Sequence, residues 1–431
     1  MTGGGTASPN ESGRYERVGM LHYSAPPVVG GVEAVIEAHV RALTAAGYPV
    51  TVIAGRGDQE ALPPGVKLVH IPEIDSRQQQ IARITSDLED GYVSQDFEDM
   101  TERLVDTLAP RLAGLQDLIV HNAFTKRFNL PLTAALFRLL DGGAISHCIA
   151  WCHDIGWASE HSLPNLHPGQ PWDLLRTQRG DVTYVAVSEE RRSALVGIFG
   201  CPADEIQVVY NGVDPARLLG LTREGRTLIN RLDLLASDLI LLMPVRVTQA
   251  KNIELAIRVV AALGSTLDSV RLVLTGPPDP HDEESMAYFR ELQGLRRQLG
   301  VEDAVRFVFE SGPGGEEGFT IDMAVVADLL RACDVVFMPS HREGFGMPVL
   351  EAGLAGKPMV CTPVPAAREI GGDDVMIINP QGDPEKIASE IISLVEATPI
   401  HRLRRRIREQ YTWGAIFERD IRPLLSRGGS A

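Results

Sequence analysis

Two α/β domains, each on a parallel sheet, are predicted from three features of the sequence. Short apolar runs rich in β-branched residues alternate with longer segments of helical period, which is the pattern of strand and helix units around a parallel sheet. The alternation runs through twice, with a break near Pro215. The chain of 431 residues also exceeds the ~250 residues beyond which a single core usually stops growing.

In the first half, residues 18–23, 50–54, 118–121, 148–152 and 183–187 read as strands, since each is short and largely apolar. Helical period returns at 32–46 and 189–198. The second series opens at 239–247 and continues at 271–275, 305–309, 335–338, 359–361 and 375–378. Between the two series lies a charged, irregular stretch introduced by Pro215, so a connecting segment is expected at 216–237. After Asn379 the helical patterns 384–397, 400–409 and 413–425 follow one another without a strand, so they do not extend the sheet and are expected to pack across the domain junction. The resulting plan is a disordered Gly- and Ser-rich tail at 1–16, a first domain at 17–215, the connection, a second domain at 238–410, and a C-terminal helix at 411–431 returning to the first domain.

Composition narrows the function classes. A formal charge of −16 opposes binding to nucleic acid or to an anionic bilayer. No apolar run approaches the ~20 residues that span a membrane, so stable membrane insertion is not expected. The N-terminus lacks the charged start and apolar stretch of a secretion signal, which points to the cytoplasm. Cys148, Cys152, Cys201, Cys333 and Cys361 form no zinc spacing and read as buried thiols of a reducing compartment. The basic run at 402–408 reads as a solvated helix face.

The segment Glu343-Gly-Phe-Gly-Met-Pro-Val-Leu-Glu351 follows the buried run 335–338. Pro348 is tolerated only in a first helical turn, and Gly356 with Pro358 marks an end, so a short helix starts near Gly346. Gly344, Phe345 and Gly346 then offer backbone N–H groups at a helix N-terminus, a site suited to an anion. Glu343 stands at the mouth of this cradle, and Glu351 lies one turn inside, where a carboxylate can accept from a ribose diol. Read blandly, Glu343 is a first-turn carboxylate on a helix dipole and Glu351 a surface charge.

A second element, Arg246-Val-Thr-Gln-Ala-Lys251-Asn252, closes the first strand of the second half, with Asn252 expected as the N-cap of a helix at 253–263. Arg246 and Lys251 therefore project from the carboxyl edge of a sheet, where open α/β folds bind ligands. Fixed cations there can balance a departing diphosphate without a metal.

These segments, together with AVSEERRSAL, the turn Asn211-Gly-Val-Asp214 and Trp413, resemble retaining glycosyltransferase family 4 over residues 17 to 425. The resemblance implies two facing Rossmann-like domains (the GT-B fold), with the C-terminal helix crossing the domain junction. The donor nucleotide is then held by the second domain and the acceptor mainly by the first. It implies that Arg246 and Lys251 bind the donor diphosphate, Glu351 the ribose, and Glu343 the donor sugar, with amides from Gly344, Phe345 and Gly346. Gly30 and Gly31 match the family's glycine loop near the diphosphate, and His153 becomes a partner of the donor sugar's primary hydroxyl or of the acceptor. Asp154 either binds a sugar hydroxyl or caps a helix. Trp157, with His161 and His167, either lines an acceptor pocket or packs a loop. Thr275-Gly276-Pro277-Pro278 and the acidic stretch 310–320 depart from the family pattern where the base is gripped.

The implied reaction moves a hexosyl unit from a nucleotide diphosphate sugar, UDP-linked in preference to GDP-linked, with retention and without a metal or a permanently bound cofactor. The stretch 75–99 carries Asp87, Glu89, Asp90, Asp96, Glu98 and Asp99, so a small soluble acceptor is expected rather than a lipid. An epimerase or phosphorylase of the same fold, a transferase with a lipid or polysaccharide acceptor, a non-catalytic sensor, and a metal site of His153, Asp154 and His161 remain alternatives.

Overall fold

The computed structural model describes residues 17–425. The tail expected at 1–16 and the last residues of the expected segment 411–431 lie outside the described residues. The chain divides into two compact units, one of residues 17–212 with 413–425 and one of residues 213–412.

The first unit carries seven strands, β1 (Val18–His22), β2 (Val50–Ala54), β3 (Lys67–His70), β4 (Asp117–His121), β5 (Cys148–Cys152), β6 (Val182–Ala186) and β7 (Ile206–Val208). Their order is β3-β2-β1-β4-β5-β6-β7, and every pair is parallel. Helices α1 (Gly31–Ala45), α2 (Gln79–Glu89), α3 (Gln95–Leu112), α4 (Leu130–Asp141) and α5 (Glu189–Phe199) connect them. Both faces are covered, so β1, β4 and β5 are buried at every residue. Side chains alternate between two cores. Leu21, Val120 and Ala150 pack with Phe97, Leu104 and Phe124, whereas Met20, Ile119 and Trp151 pack with Ile36, Val40 and Phe417.

The second unit carries six parallel strands, β8 (Leu239–Met243), β9 (Val270–Leu274), β10 (Val305–Phe307), β11 (Val335–Met338), β12 (Met359–Cys361) and β13 (Met376–Ile377), in the order β10-β9-β8-β11-β12-β13. Its helices are α6 (Pro215–Leu218), α7 (Arg223–Arg231), α8 (Ile253–Leu263), α9 (Glu283–Gln298), α10 (Met323–Ala332), α11 (Met347–Leu354), α12 (Pro384–Ala397) and α13 (Pro399–Gln410). Both sheets reverse their strand order beside the first strand, β1 against β4 and β8 against β11. Each unit is therefore Rossmann-like, with its ligand crevice at the carboxyl ends of those strands.

The structure differs from the sequence expectations at several points. Residues read as a connecting segment form α6 and α7 and belong to the second unit. The backbone N–H and hydroxyl of Thr222 donate to the buried Asp328 carboxylate at 2.9 and 2.6 Å, and Leu228, Ile229 and Leu234 enter the core. The charged sequence of α7 hid that apolar stripe. β3 and β7, short strands at the two sheet edges, escaped notice because an edge strand is only partly buried and its apolar run is brief. The strand expected at 239–247 stops at Met243, before Pro244, which has no N–H for a ladder.

The chain end differs as well. α12 packs on α8 within the second unit through Ile387, Ala388 and Ile391. Residues 413–425 are not one α-helix but α14 (Trp413–Ile416), a π-helical turn at Phe417–Ile421 and α15 (Arg422–Leu425). Ile416, Phe417, Ile421 and Leu424 join the core of the first unit. Nor is the run at 402–408 simply a solvated face. Arg408 is buried and holds Asp334 by two bonds of 3.1 and 2.8 Å, while Arg404 donates to the carbonyls of Arg331 and Ala332.

Candidate active site

At the carboxyl edge of the second sheet, the loop after β8 and the loop after β11 meet through one ion pair. Nζ of Lys251 lies 2.6 and 2.7 Å from the two carboxylate oxygens of Glu343. Ser340 donates to the same carboxylate at 2.7 Å, and Thr362, after β12, holds the Ser340 carbonyl at 2.6 Å. Three strand ends thus fix one carboxylate. Asn252 is not a side-chain cap. It adopts a left-handed φ of 52°, and its carboxamide donates to the carbonyls of Pro339 and Pro380 at 3.0 and 2.9 Å, tying the loops that follow β11 and β13.

Gly346 is the N-cap of α11, with φ 107°, and a Cβ there would press on Val364 at 3.1 Å. The amides of Gly344, Phe345 and Gly346 donate to no described residue. Arg246 is exposed and forms no ion pair with any described residue. Its backbone is held from below by Gly276, where a Cβ would lie 2.7 Å from Arg246 Cα and 2.6 Å from the Val245 carbonyl. Glu351 sits half-buried in α11, one turn from the cap, and its carboxylate has no partner among the described residues. This edge therefore holds one unengaged cation, one neutralised cation, a free carboxylate and three unengaged amides. Such a set suits an anion with attached hydroxyls.

In the first unit, β1, β4 and β5 end at His22, His121 and, one residue past the strand, His153. Asn122, with φ 61°, turns its carboxamide oxygen to the amides of His153 and Asp154 at 2.9 and 3.1 Å. A non-glycine residue in that conformation is held only where the surroundings enforce it. Asp154 is half-exposed, 3.8 Å from Lys126. Trp157 donates to the Trp172 carbonyl at 3.4 Å and lies under Arg176, 4.6 Å from its ring centre. His167 bonds the Glu89 carbonyl at 2.9 Å and packs on Trp172. Gly30 and Gly31 open α1, and a Cβ at Gly31 would meet nothing within 4 Å. Glu33, in the first turn of α1, accepts from Ser24.

The histidines share one electrostatic environment. Burial, together with the neighbouring His22, lowers His153 to about 4. Burial and His153 lower His39 to about 3, and burial with three histidine neighbours holds His121 well below its ordinary value. His121 and Asn122 were missed by sequence reasoning, although a visible signal was present: three apolar runs, LIVHN, MLHYS and AWCHD, each close on a histidine.

Among the described residues, no group of three or more His, Cys, Asp or Glu could hold a metal ion, and no helix is long and apolar enough to cross a membrane. A concavity of about 490 Å³ opens at the opposite, amino edge of the second sheet, lined by Asp238, Asp334, Arg402, Arg405 and Arg408. Its charges are largely spent on one another, Arg405 pairing with Asp238 and Arg408 with Asp334.

Residues 227–412 match the family model "Glycosyl transferases group 1". A D-inositol 3-phosphate glycosyltransferase of Actinosynnema mirum is 33% identical over 186 residues, 42% of this chain and 40% of that protein. An uncharacterized glycosyltransferase of Methanocaldococcus jannaschii is 27% identical over 248 residues, 55% of this chain and 58% of that protein. The chain thus spans about two fifths to three fifths of the length of these relatives. Among solved structures, a sucrose-phosphate synthase from Thermosynechococcus elongatus aligns over 96% of this chain and 100% of that one, with 17% identity and a TM-score of 0.40.

Proposed function

We propose that the protein is a retaining glycosyltransferase that moves a hexosyl unit from a nucleotide diphosphate sugar to a hydroxyl of a small soluble acceptor. The observation that carries this reading is the carboxyl edge of the second sheet, which lies within the matched stretch 227–412. There Arg246 is unengaged, Lys251 is balanced by Glu343, and the amides of Gly344, Phe345 and Gly346 are open.

A diphosphate entering this edge takes Arg246 directly and shares Lys251 with Glu343. Arg246, the Lys251 ammonium shared with Glu343 and the open amides of Gly344, Phe345 and Gly346 then oppose the charge that develops as the glycosidic C–O bond breaks, and the reaction is expected to run without a metal ion. Glu351 receives the ribose diol, and Glu343, held by Ser340 and Lys251, orients the sugar hydroxyls. The acceptor oxygen bonds to the anomeric carbon on the face the diphosphate leaves, and the acceptor proton passes to the leaving phosphate oxygen. Configuration is retained in that displacement. UDP is the favoured nucleotide and GDP the alternative.

The acceptor is a sugar, sugar phosphate, sugar acid or aglycone. Supporting a soluble acceptor, the acidic stretch of α2 and α3 keeps its sign, with Glu98 and Glu89 only partly offset by Arg138 and Arg127. All five cysteines are free thiols, which suits a cytoplasmic setting.

Thermal shift with UDP, GDP, ADP and their sugars tests the donor, because a bound ligand stabilises by mass action. Stabilisation by UDP and UDP-sugars is expected, and none by any nucleoside diphosphate would sink the reading. NMR of the product then reports the anomeric configuration. Persistence of activity in EDTA checks the metal, and labelled donor incubated alone separates transfer from epimerisation.

A further inference from the structure

His121 is wholly buried and joins two other histidines, one through its ring and one through its backbone. Its Nδ1 lies 3.0 Å from Nε2 of His153, and its carbonyl lies 3.0 Å from Nδ1 of His22. A carbonyl only accepts, so His22 carries its proton on Nδ1 and its Nε2 is a bare acceptor.

Two neutral arrangements satisfy the contact between His121 and His153. If His153 donates from Nε2, the His121 proton must sit on its own Nε2, which is buried without a partner. If His121 donates from Nδ1, that same Nε2 is only an unfilled lone pair. Orphaned buried N–H groups are rarer than under-satisfied acceptors, so the second arrangement is the stable one. The ring of His121 is wedged beside Trp151 and His39, and its Nε2 has no hydrogen-bond partner among the described residues to change this choice.

We propose that His121 is a positioning residue that fixes the tautomers of two site histidines at once. Its Nδ1–H, donated to Nε2 of His153, makes His153 a donor from Nδ1, and its carbonyl makes His22 an acceptor at Nε2. No hydrogen bond joins Nδ1 of His153 to a described residue, which leaves the fixed N–H available to a bound substrate. With Nδ1 filled and Nε2 engaged, His153 cannot take up the acceptor proton, which must leave on the phosphate. That consequence rests on the glycosyltransferase reading, whereas the tautomer itself does not.

The test is nitrogen-15 NMR of the full chain with labelled histidine, the His153 signals being assigned by their loss in His153→Asn. A protonated Nδ1 and a bare Nε2 at His153 are expected, and a protonated Nε2 there would overturn the inference. In His121→Asn the carboxamide nitrogen overlays Nδ1, so His153 keeps its tautomer and kcat stays within about threefold of wild type. In His121→Leu the His153 signals shift toward the Nε2–H form, and kcat falls about 10- to 100-fold with a smaller change in donor KM. A purely structural His121 would lower activity without moving the His153 signals, and that result would also overturn the inference. Should His121→Leu fail to fold, the wild-type and His121→Asn spectra still decide. The expected tautomer without transfer from any nucleotide sugar would instead refute the proposed function.

Discussion

Acidification is expected to destabilise the first unit steeply below pH 6.5, through histidines folded in their neutral form. Burial and His153 lower His39 to about 3, burial and His22 lower His153 to about 4, and His121 moves the same way. Asp154 and Glu33 oppose the shift at His153 without reversing it. Above the unfolded value of 6.5, both states are neutral and these groups contribute nothing. Below it the unfolded chain binds more protons than the native one, so stability falls as pH falls, until each folded value is reached. Each such histidine contributes a slope of about 1.4 kcal/mol per pH unit, which at pH 5 is about 2 kcal/mol each and about 4 kcal/mol for His39 and His153. That is a large part of the ~5–15 kcal/mol typical of a folded domain. The perturbation that isolates the effect is His39→Leu, since the His39 ring is fully buried between Trp151 and Trp413 with both nitrogens unpartnered. Those two indoles report urea unfolding of this unit by fluorescence. Between pH 6 and 5 the variant should lose stability less steeply than wild type, by about 1.4 kcal/mol per unit. An unchanged slope in the variant, or stability rising on acidification, would refute the argument.

Other perturbations probe the second unit. Arg246→Ala should weaken UDP binding about 10- to 100-fold by calorimetry, as expected for a hydrogen-bonded charge, with the melting temperature of the free protein unchanged because Arg246 is exposed and unengaged. Arg408→Leu leaves the Asp334 carboxylate buried without its bidentate partner and should destabilise by about 3–5 kcal/mol in urea; adding Asp334→Leu should recover only part of that loss, because the buried Ile240 amide then has no acceptor. Gly276→Ala places a methyl 2.6 Å from the Val245 carbonyl, so about 1–3 kcal/mol of stability should be lost as the Arg246 loop shifts, with weaker UDP binding alongside. Equal UDP affinity in wild type and Gly276→Ala would show that the loop does not position the cation.

The two parallel sheets were legible because a strand buried on both faces must be apolar along its length, as β1, β5, β8 and β11 are. Pro348 and Gly346 likewise marked the start of α11, since each restricts the backbone wherever it occurs. Candidate site residues were visible where they follow such runs closely, as His153 follows β5 and Arg246 follows β8. Such signals are local, encoded within one turn or one strand. What tertiary structure alone decided is which distant residues meet. Lys251 reaches Glu343 across 92 positions because β8 lies beside β11, and Arg408 reaches Asp334 across 74 because α13 returns to the strands' amino edge. His121 reaches His153 because β4 lies beside β5. Hydrophobic period says that a strand is buried, but not which strand is its neighbour. The charge of α7 and the brevity of β3 and β7 weakened even the local signal, so burial there emerged only when the rest of the fold supplied the other surface.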